Sequence, residues 1–243
     1  MPSIREIQDT IYDWVSIETI SNPITGSVEV FSSSPFVLGT GTAFTQELIE
    51  NTFVSIGGIT VRIQSITDDN NLILSEDWPS SSQSGLQVLK GVEAIVQDQN
   101  FPRPNNQYIT ILISPLSRIG RAATLRPDGA GVATIVGNRE FTVYLQCYGQ
   151  DSIQILSDLR DSLEKRSVIS FFCENEIANA EVLLLTDLSQ LLDYQYEPRG
   201  ALDLLFRTAS VVTENVELIQ EIEGEGQYIG SSDDPIIRKI EAP

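Results

Sequence analysis

Histidine is absent from all 243 residues. That excludes catalysis by Ser-His-Asp or Cys-His arrangements and removes the commonest zinc ligand. Cysteine is almost as scarce, since Cys147 and Cys173 are the only two and make no disulfide framework. In the run Phe141-Thr142-Val143-Tyr144-Leu145-Gln146-Cys147 the thiol shares one strand face with Phe141, Val143 and Leu145, which predicts a buried structural cysteine. No apolar run approaches the roughly 20 residues of a membrane helix, and a basic-then-apolar signal layout is missing from the N-terminus. The expectation is a protein made and kept in a cytoplasm, without a membrane partner. Basic residues are few, 15 against 34 acidic ones for a formal charge of −19. That balance argues against a sequence-reading nucleic-acid binder, which needs Lys and Arg to displace phosphate counterions. No phosphate-loop pattern occurs, and Gly129-Ala130-Gly131 lacks the spacing of a dinucleotide site. Neither Asp68-Asp69 nor Asp233-Asp234 has calcium-loop spacing, and no two carboxylates stand out as a glycosidase pair. The chain is therefore expected to be no enzyme and to hold no cofactor and no metal.

What the chain does contain is an uneven charge distribution. Between Gln99 and Arg139 lie five arginines, Arg103, Arg118, Arg121, Arg126 and Arg139, against the single acid Asp128, whereas Glu214 to Pro243 carries eight acids against Arg238 and Lys239. Complementary patches on one chain suit head-to-tail contacts between copies, the geometry that closes into rings.

The layout is interrupted. Ser3 and Glu6 have capping-box spacing, and Ile4, Ile7, Ile11, Trp14 and Val15 form one helical stripe, which predicts a helix ending at Asn22-Pro23. From Ile24 to Lys90 the pattern is all β: Val54 and Ile56 alternate up to Gly57-Gly58, Ile59, Val61 and Ile63 resume beyond it, and Asp68-Asp69-Asn70-Asn71 marks a second hairpin before Leu72 and Leu74. No helical period is visible there, so a small barrel or sandwich is expected. Strands follow at Val92 to Gln97 and Tyr108 to Ile113, then a long loop from Ser114 to Arg139, then a strand from Glu140 to Tyr148. Asp151 and Gln154 repeat the capping spacing before a helix with the stripe Leu156, Leu159 and Leu163, expected to end near Arg166. Further strands are expected at Glu181 to Leu185, Ala201 to Val212 and Val216 to Glu223. The fold class is then α+β, a mostly antiparallel sheet with two helices on one face. Residues 1–22 and 91–230 form this core, 24–90 form the inserted β-module, and 231–243 form an acidic tail.

Within the module, Gly39-Thr40-Gly41-Thr42-Ala43-Phe44-Thr45 resembles a small β-module of bacteriophage tail, neck and fibre proteins. The core order resembles the tail terminator (neck terminator) proteins of long-tailed bacteriophages. That second likeness is carried by the run Gly137-Asn138-Arg139-Glu140-Phe141 through Gly149, by Arg166-Ser167-Val168, and by Tyr196-Glu197-Pro198-Arg199-Gly200-Ala201 through Phe206. It implies a structural virion protein without active-site residues, a ring usually of six subunits that caps the tail tube, stops its growth and offers a surface for joining tail to head. The implied partners are further copies of the chain, the tail tube protein and neck or connector proteins, with the tail sheath as another candidate. The implied location is the virion, after assembly in the host cytoplasm.

Two sets of residues are candidates for this work. Arg118, Arg121, Arg126 and Arg139 are expected at an intersubunit or tube interface. Glu217, Glu221 and Glu223 share one strand parity, opposite Val216, Leu218 and Ile222, and are expected to line a channel through which DNA passes without specific binding. Other readings are a tail-to-head adaptor, a baseplate component, or a carbohydrate-binding adhesion module in which Trp78 and Phe44 stack on sugars.

Overall fold

The computed structural model describes residues 2–97, 104, 107–125, 127–128, 131–192 and 195–216, and the structural statements below concern these. They fall into two compact units, one made of Met1–Ile119 and Asn138–Ala209, the other of Gly120–Gly137 and Ser210–Pro243.

The first unit opens with α1 (Ile4–Glu18), and the capping box is formed as the sequence demands. Ser3 Oγ accepts from the Glu6 amide at 3.2 Å, and the Glu6 carboxylate accepts from the Ser3 amide at 2.6 Å. Two otherwise orphaned helix donors are thereby satisfied. Ile7, Ile11, Trp14 and Val15 are buried, and the Trp14 indole N–H donates to Ser162 Oγ at 3.0 Å, tying α1 to a distant helix.

The chain then enters eight short strands: β1 (Asn22–Pro23), β2 (Ser27–Val30), β3 (Phe36–Thr40), β4 (Phe53–Ile56), β5 (Ile59–Asp68), β6 (Asn71–Leu74), β7 (Gln83–Leu86) and β8 (Val88–Lys90). They form one antiparallel sheet in the order β1-β8-β4-β5-β6-β3-β2-β7. Gly57 and Gly58 take the positive φ values, 57° and 87°, that a two-residue hairpin requires, and Ile56 pairs with Ile59 across them. Bulges after Ile63 and Ile66 bend β5, so its first half pairs with β4 and its second half with β6. The inner residues of these strands form one apolar cluster that includes Val30, Val54, Ile63, Leu74 and Trp78. One helical turn, α2 (Phe44–Glu47), interrupts the strands, a correction to the expectation of no helix in this stretch. It holds Phe44 in the cluster, and Gly39 is needed beneath it, because a Cβ there would meet Thr42 Oγ1 at 2.0 Å and the Phe44 ring at 2.9 Å. Gly39 is thus explained by packing, whereas Gly41 has open space around it and takes a positive φ of 65°.

The entry and exit of this stretch lie side by side, with Asn22 paired to Lys90 and Pro23 to Leu89. We propose that residues 24–90 are an inserted domain on the 1–22 and 91–230 core. Replacing 24–90 by a short Gly-Ser linker is expected to leave a core that melts cooperatively by circular dichroism, since the linker spans one strand-to-strand distance. An insoluble or non-cooperative product overturns the division.

The larger sheet follows with β9 (Glu93–Val96), β10 (Tyr108–Ile113), β11 (Ser117–Arg118), β12 (Ala123–Thr124), β13 (Val132–Tyr148), β14 (Ile177–Asp187), a side hairpin of β15 (Gln190–Leu192) and β16 (Gln195–Glu197), and β17 (Arg199–Asn215). Its order is β14-β17-β13-β10-β9, with β9 parallel to β10, and both β11 and β12 paired to β13. The α+β class and the mostly antiparallel sheet agree with the sequence reading. Three helices, and not two, pack on it: α1, α3 (Ser152–Ser162) and α4 (Arg166–Glu174). The chain re-enters a helix at Arg166 because Val168 and Phe172 have their own stripe to bury. The expected cap on α3 does not form: Asp151 sits in the left-handed region at φ 57° without a side-chain cap bond, and Gln154 donates instead to Asp158. Ile7, Trp14, Leu156, Leu159 and Phe172 meet Ile109, Val143, Leu145, Leu204 and Phe206 in one core. Cys147 is buried in it as expected, and burial pushes its thiol pKa up to about 12.

The predicted loop from Ser114 to Arg139 instead contains two short strands and the first part of a long one. β11 pairs Arg118 with Arg139, and within the second unit β12 pairs Ala123 with Val136 and Thr124 with Ile135. The β-branched run Val132, Thr134, Ile135 and Val136 carries β13 far upstream of Glu140. In the same unit the Val216 amide donates to Gly131 O at 2.8 Å. At the other end, β14 and β17 exceed the expected Glu181–Leu185 and Ala201–Val212 in both directions.

Candidate assembly surface

Alternation splits the large sheet into two faces. Ile109, Ile111, Phe141, Val143, Leu145, Leu202, Leu204 and Phe206 point at the helices. The opposite parity carries Tyr108, Thr110 and Leu112 on β10, Tyr144, Gln146 and Tyr148 on β13, and Arg199, Asp203, Leu205 and Arg207 on β17. Tyrosine and arginine are the residues enriched at interface centres.

At one end of this face the side chains are ordered by stacking. Tyr108 and Tyr148 are cross-strand partners with ring centroids 4.6 Å apart and 8° between planes. The Arg199 guanidinium lies 4.8 Å over the Tyr148 ring and donates through Nη2 to Gln146 Oε1, which also accepts from the Tyr148 hydroxyl at 3.0 Å. Its Nε is buried without a hydrogen-bond partner among the described residues. The backbone holds the arginine in place: its amide donates to Ser189 Oγ at 3.1 Å, and the Gly149 amide donates to Pro198 O at 3.0 Å. Nearby, partial burial raises the Asp203 carboxyl pKa. Further along, Arg207 and Glu140 are 4.0 Å apart, a loose exposed pair.

The predicted interface arginines are only partly brought together. Arg118 and Arg139 are directly opposed on neighbouring strands, Arg118 is exposed, and Arg139 Nη1 is buried without a hydrogen-bond partner among the described residues. Like charges in that position repel and favour an anionic partner. Arg121 is exposed in the second unit. Arg126, like Glu217, Glu221 and Glu223, lies outside the described residues. Arg199 and Arg207 were missed, because nothing in the local sequence says that they share a face with Tyr148. Trp78 and Phe44 are 2% and 0% exposed, which removes both as platforms for sugars.

A cleft of about 350 Å³ lies in the first unit, lined among others by Tyr12, Glu47, Leu48, Phe53, Lys90, Glu93 and Gln107. Burial raises the Glu93 carboxyl pKa, and Lys90 pulls it part of the way back. The Lys90 ammonium is held by the Glu47 carbonyl at 2.8 Å. Asp13 has its pKa raised by burial against the pull of Arg62, 4.0 Å away. Among the described residues no cluster of Cys, Asp or Glu has the makings of a metal site, and no described helix is long and apolar enough to cross a membrane.

Residues 81–232 match a family model described as phage neck terminator protein. The match starts at the end of the eight-stranded sheet and spans the larger sheet with α3 and α4. No curated protein matches the chain.

Proposed function

Because the chain belongs to the phage neck terminator protein family, and is thereby a structural protein of the bacteriophage tail and neck that meets other tail and neck proteins, we propose that it is the ring that ends the tail tube. Copies of the chain, six in the usual count, close on the last layer of tube subunits, stop polymerisation and present the surface to which the neck and head join. Termination is geometric. Each tube subunit re-exposes the growing surface it bound, whereas the terminator presents a different one, so the next subunit finds no complement.

The observation that supports this reading best is the tyrosine- and arginine-bearing face of the large sheet, with Arg199 already stacked over Tyr148 and oriented by Gln146. A preorganised arginine loses little entropy on meeting a carboxylate. In this reading Arg118, Arg121, Arg126 and Arg139 contribute intersubunit or tube contacts, Glu217, Glu221 and Glu223 line the channel that DNA crosses, and the chain performs no catalysis. Assembly takes place in the host cytoplasm before incorporation into the virion.

Electron microscopy of purified protein mixed with polymerising tube subunits tests the function. The expected result is a ring at one tube end and tubes that stop lengthening once it is added. Tubes that keep growing and carry no added density overturn it.

A further inference from the structure

The last part of β17 has an open edge. In the large sheet β17 lies between β14 and β13, but its register with β14 stops at Thr208, paired to Ile177. From Ser210 to Asn215, within the second unit, no strand among the described residues pairs with it on that side. Exposure agrees: every residue from Val211 to Asn215 is exposed. Val211 and Val212 reach 53% and 55%, although neighbours along a strand point to opposite faces, so neither face is covered. No residue of this part belongs to either apolar cluster. On its other side the chain is tied down, since the Val216 amide donates to Gly131 O at 2.8 Å. Proteins blunt such edges with proline or lysine, and this one has neither, with Glu214 as its single charge.

We propose that residues 217–223 of one copy pair as an added strand along the Ser210–Asn215 edge of the next copy. The inference rests on the ring reading and names the contact that closes the ring. The segment Glu217-Leu218-Ile219-Gln220-Glu221-Ile222-Glu223 follows directly on the strand, alternates as a strand does, and has nearly the length of the open edge. It holds no Gly, Pro, Asn, Asp or Ser, the residues with which a chain reverses, before Gly224. To lie along its own edge it would have to turn back at once after Val216, so the edge it meets belongs to another copy. Leu218 and Ile222 share one parity and add apolar contact beside the exposed valines, while Glu217, Glu221 and Glu223 stay together on the other face, as the lining of a channel requires. The glutamates are also opposite in sign to Arg118, Arg121, Arg126 and Arg139, which favours the approach of one copy to the next. Donor segment and acceptor edge are different patches, so the contact is head-to-tail and closes by rotation.

Two variants of the full chain test this by sedimentation. Leu218→Pro with Ile219→Pro spoils the segment and keeps the edge, because adjacent prolines remove an amide from either side of a strand. Val211→Asp with Val212→Asp spoils the edge and keeps the segment, by setting carboxylates against the incoming glutamates. Each variant alone is expected to be monomeric, and an equal mixture is expected to give one-to-one dimers and nothing larger, because a single intact segment meets a single intact edge. Either variant assembling alone as the unaltered chain does, or a mixture of folded variants that stays monomeric, overturns the proposal. A peptide covers an edge variant that fails to fold. The labelled peptide Val216–Gly224 is expected to bind the segment variant saturably in fluorescence anisotropy, and the same peptide N-methylated at Leu218 and Ile219 is expected to bind about tenfold more weakly, the loss of a backbone hydrogen bond. Equal binding of the two peptides, or binding of neither, overturns the proposal. Rings on tails built from the segment variant sink this contact alone; no rings from the unaltered chain sink the ring reading with it.

Discussion

Changing Arg118, Arg121 and Arg126 together to Glu is expected to give a protein that folds and fails to assemble on tails at physiological salt. Each exposed ion pair contributes only about 0–1 kcal/mol, so a single Arg→Ala is expected to change little. Three reversals replace attraction by repulsion at several points of one contact, and the effects compound. Arg118 and Arg121 are exposed and belong to neither apolar core, so thermal melting should stay near that of the unaltered chain. Electron microscopy of tails from a complementation assay reads the outcome. Normal tails with the triple variant remove these arginines from the mechanism.

The second large effect is on stability. Trp14→Ala is expected to cost about 3–5 kcal/mol in denaturant unfolding, the range for deleting a buried aromatic. Trp14 is 1% exposed, packs against Phe172 with ring centroids 5.6 Å apart, and donates to Ser162, so its removal loses both packing and a buried hydrogen bond. Trp14 and Trp78 are the only tryptophans, and they sit in separate apolar clusters. Trp78→Phe therefore leaves Trp14 fluorescence as a reporter of the larger core, and the converse variant reports the smaller one. If 24–90 is a domain of its own, Trp14→Ala lowers the transition of the larger core, read by circular dichroism, and leaves the smaller core's transition, read by Trp78 fluorescence, near its place. A single transition that moves as a whole by circular dichroism and by Trp78 fluorescence shows one cooperative unit instead.

The sequence by itself determined those features whose partners are close along the chain. The Ser3–Glu6 capping box spans one helical turn, Gly57-Gly58 closes a hairpin between adjacent strands, and the alternation from Phe141 to Cys147 needs only a period of two to place the thiol in the core. The family likeness in the runs around Gly137–Gly149 and Tyr196–Phe206 has the same local character, and it agrees with the match over 81–232. Tertiary packing alone decided the rest. The stretch from Ser114 to Arg139 has the glycines and arginines of a loop, but pairing along β13 satisfies part of its backbone and turns that part into strand. Asp151 has the identity of a cap residue, yet it adopts a left-handed conformation at the turn from β13 into α3. Tyr108, Tyr148 and Arg199 become one stack only because three strands far apart in sequence lie side by side in the sheet. The cleft beside β9 likewise exists only where residues 46–53 fold back near residues 90–94. Side-chain spacing fixes which face a residue takes within its own element, whereas which elements become neighbours depends on burying all the apolar faces at once, and no single stretch of sequence holds that condition.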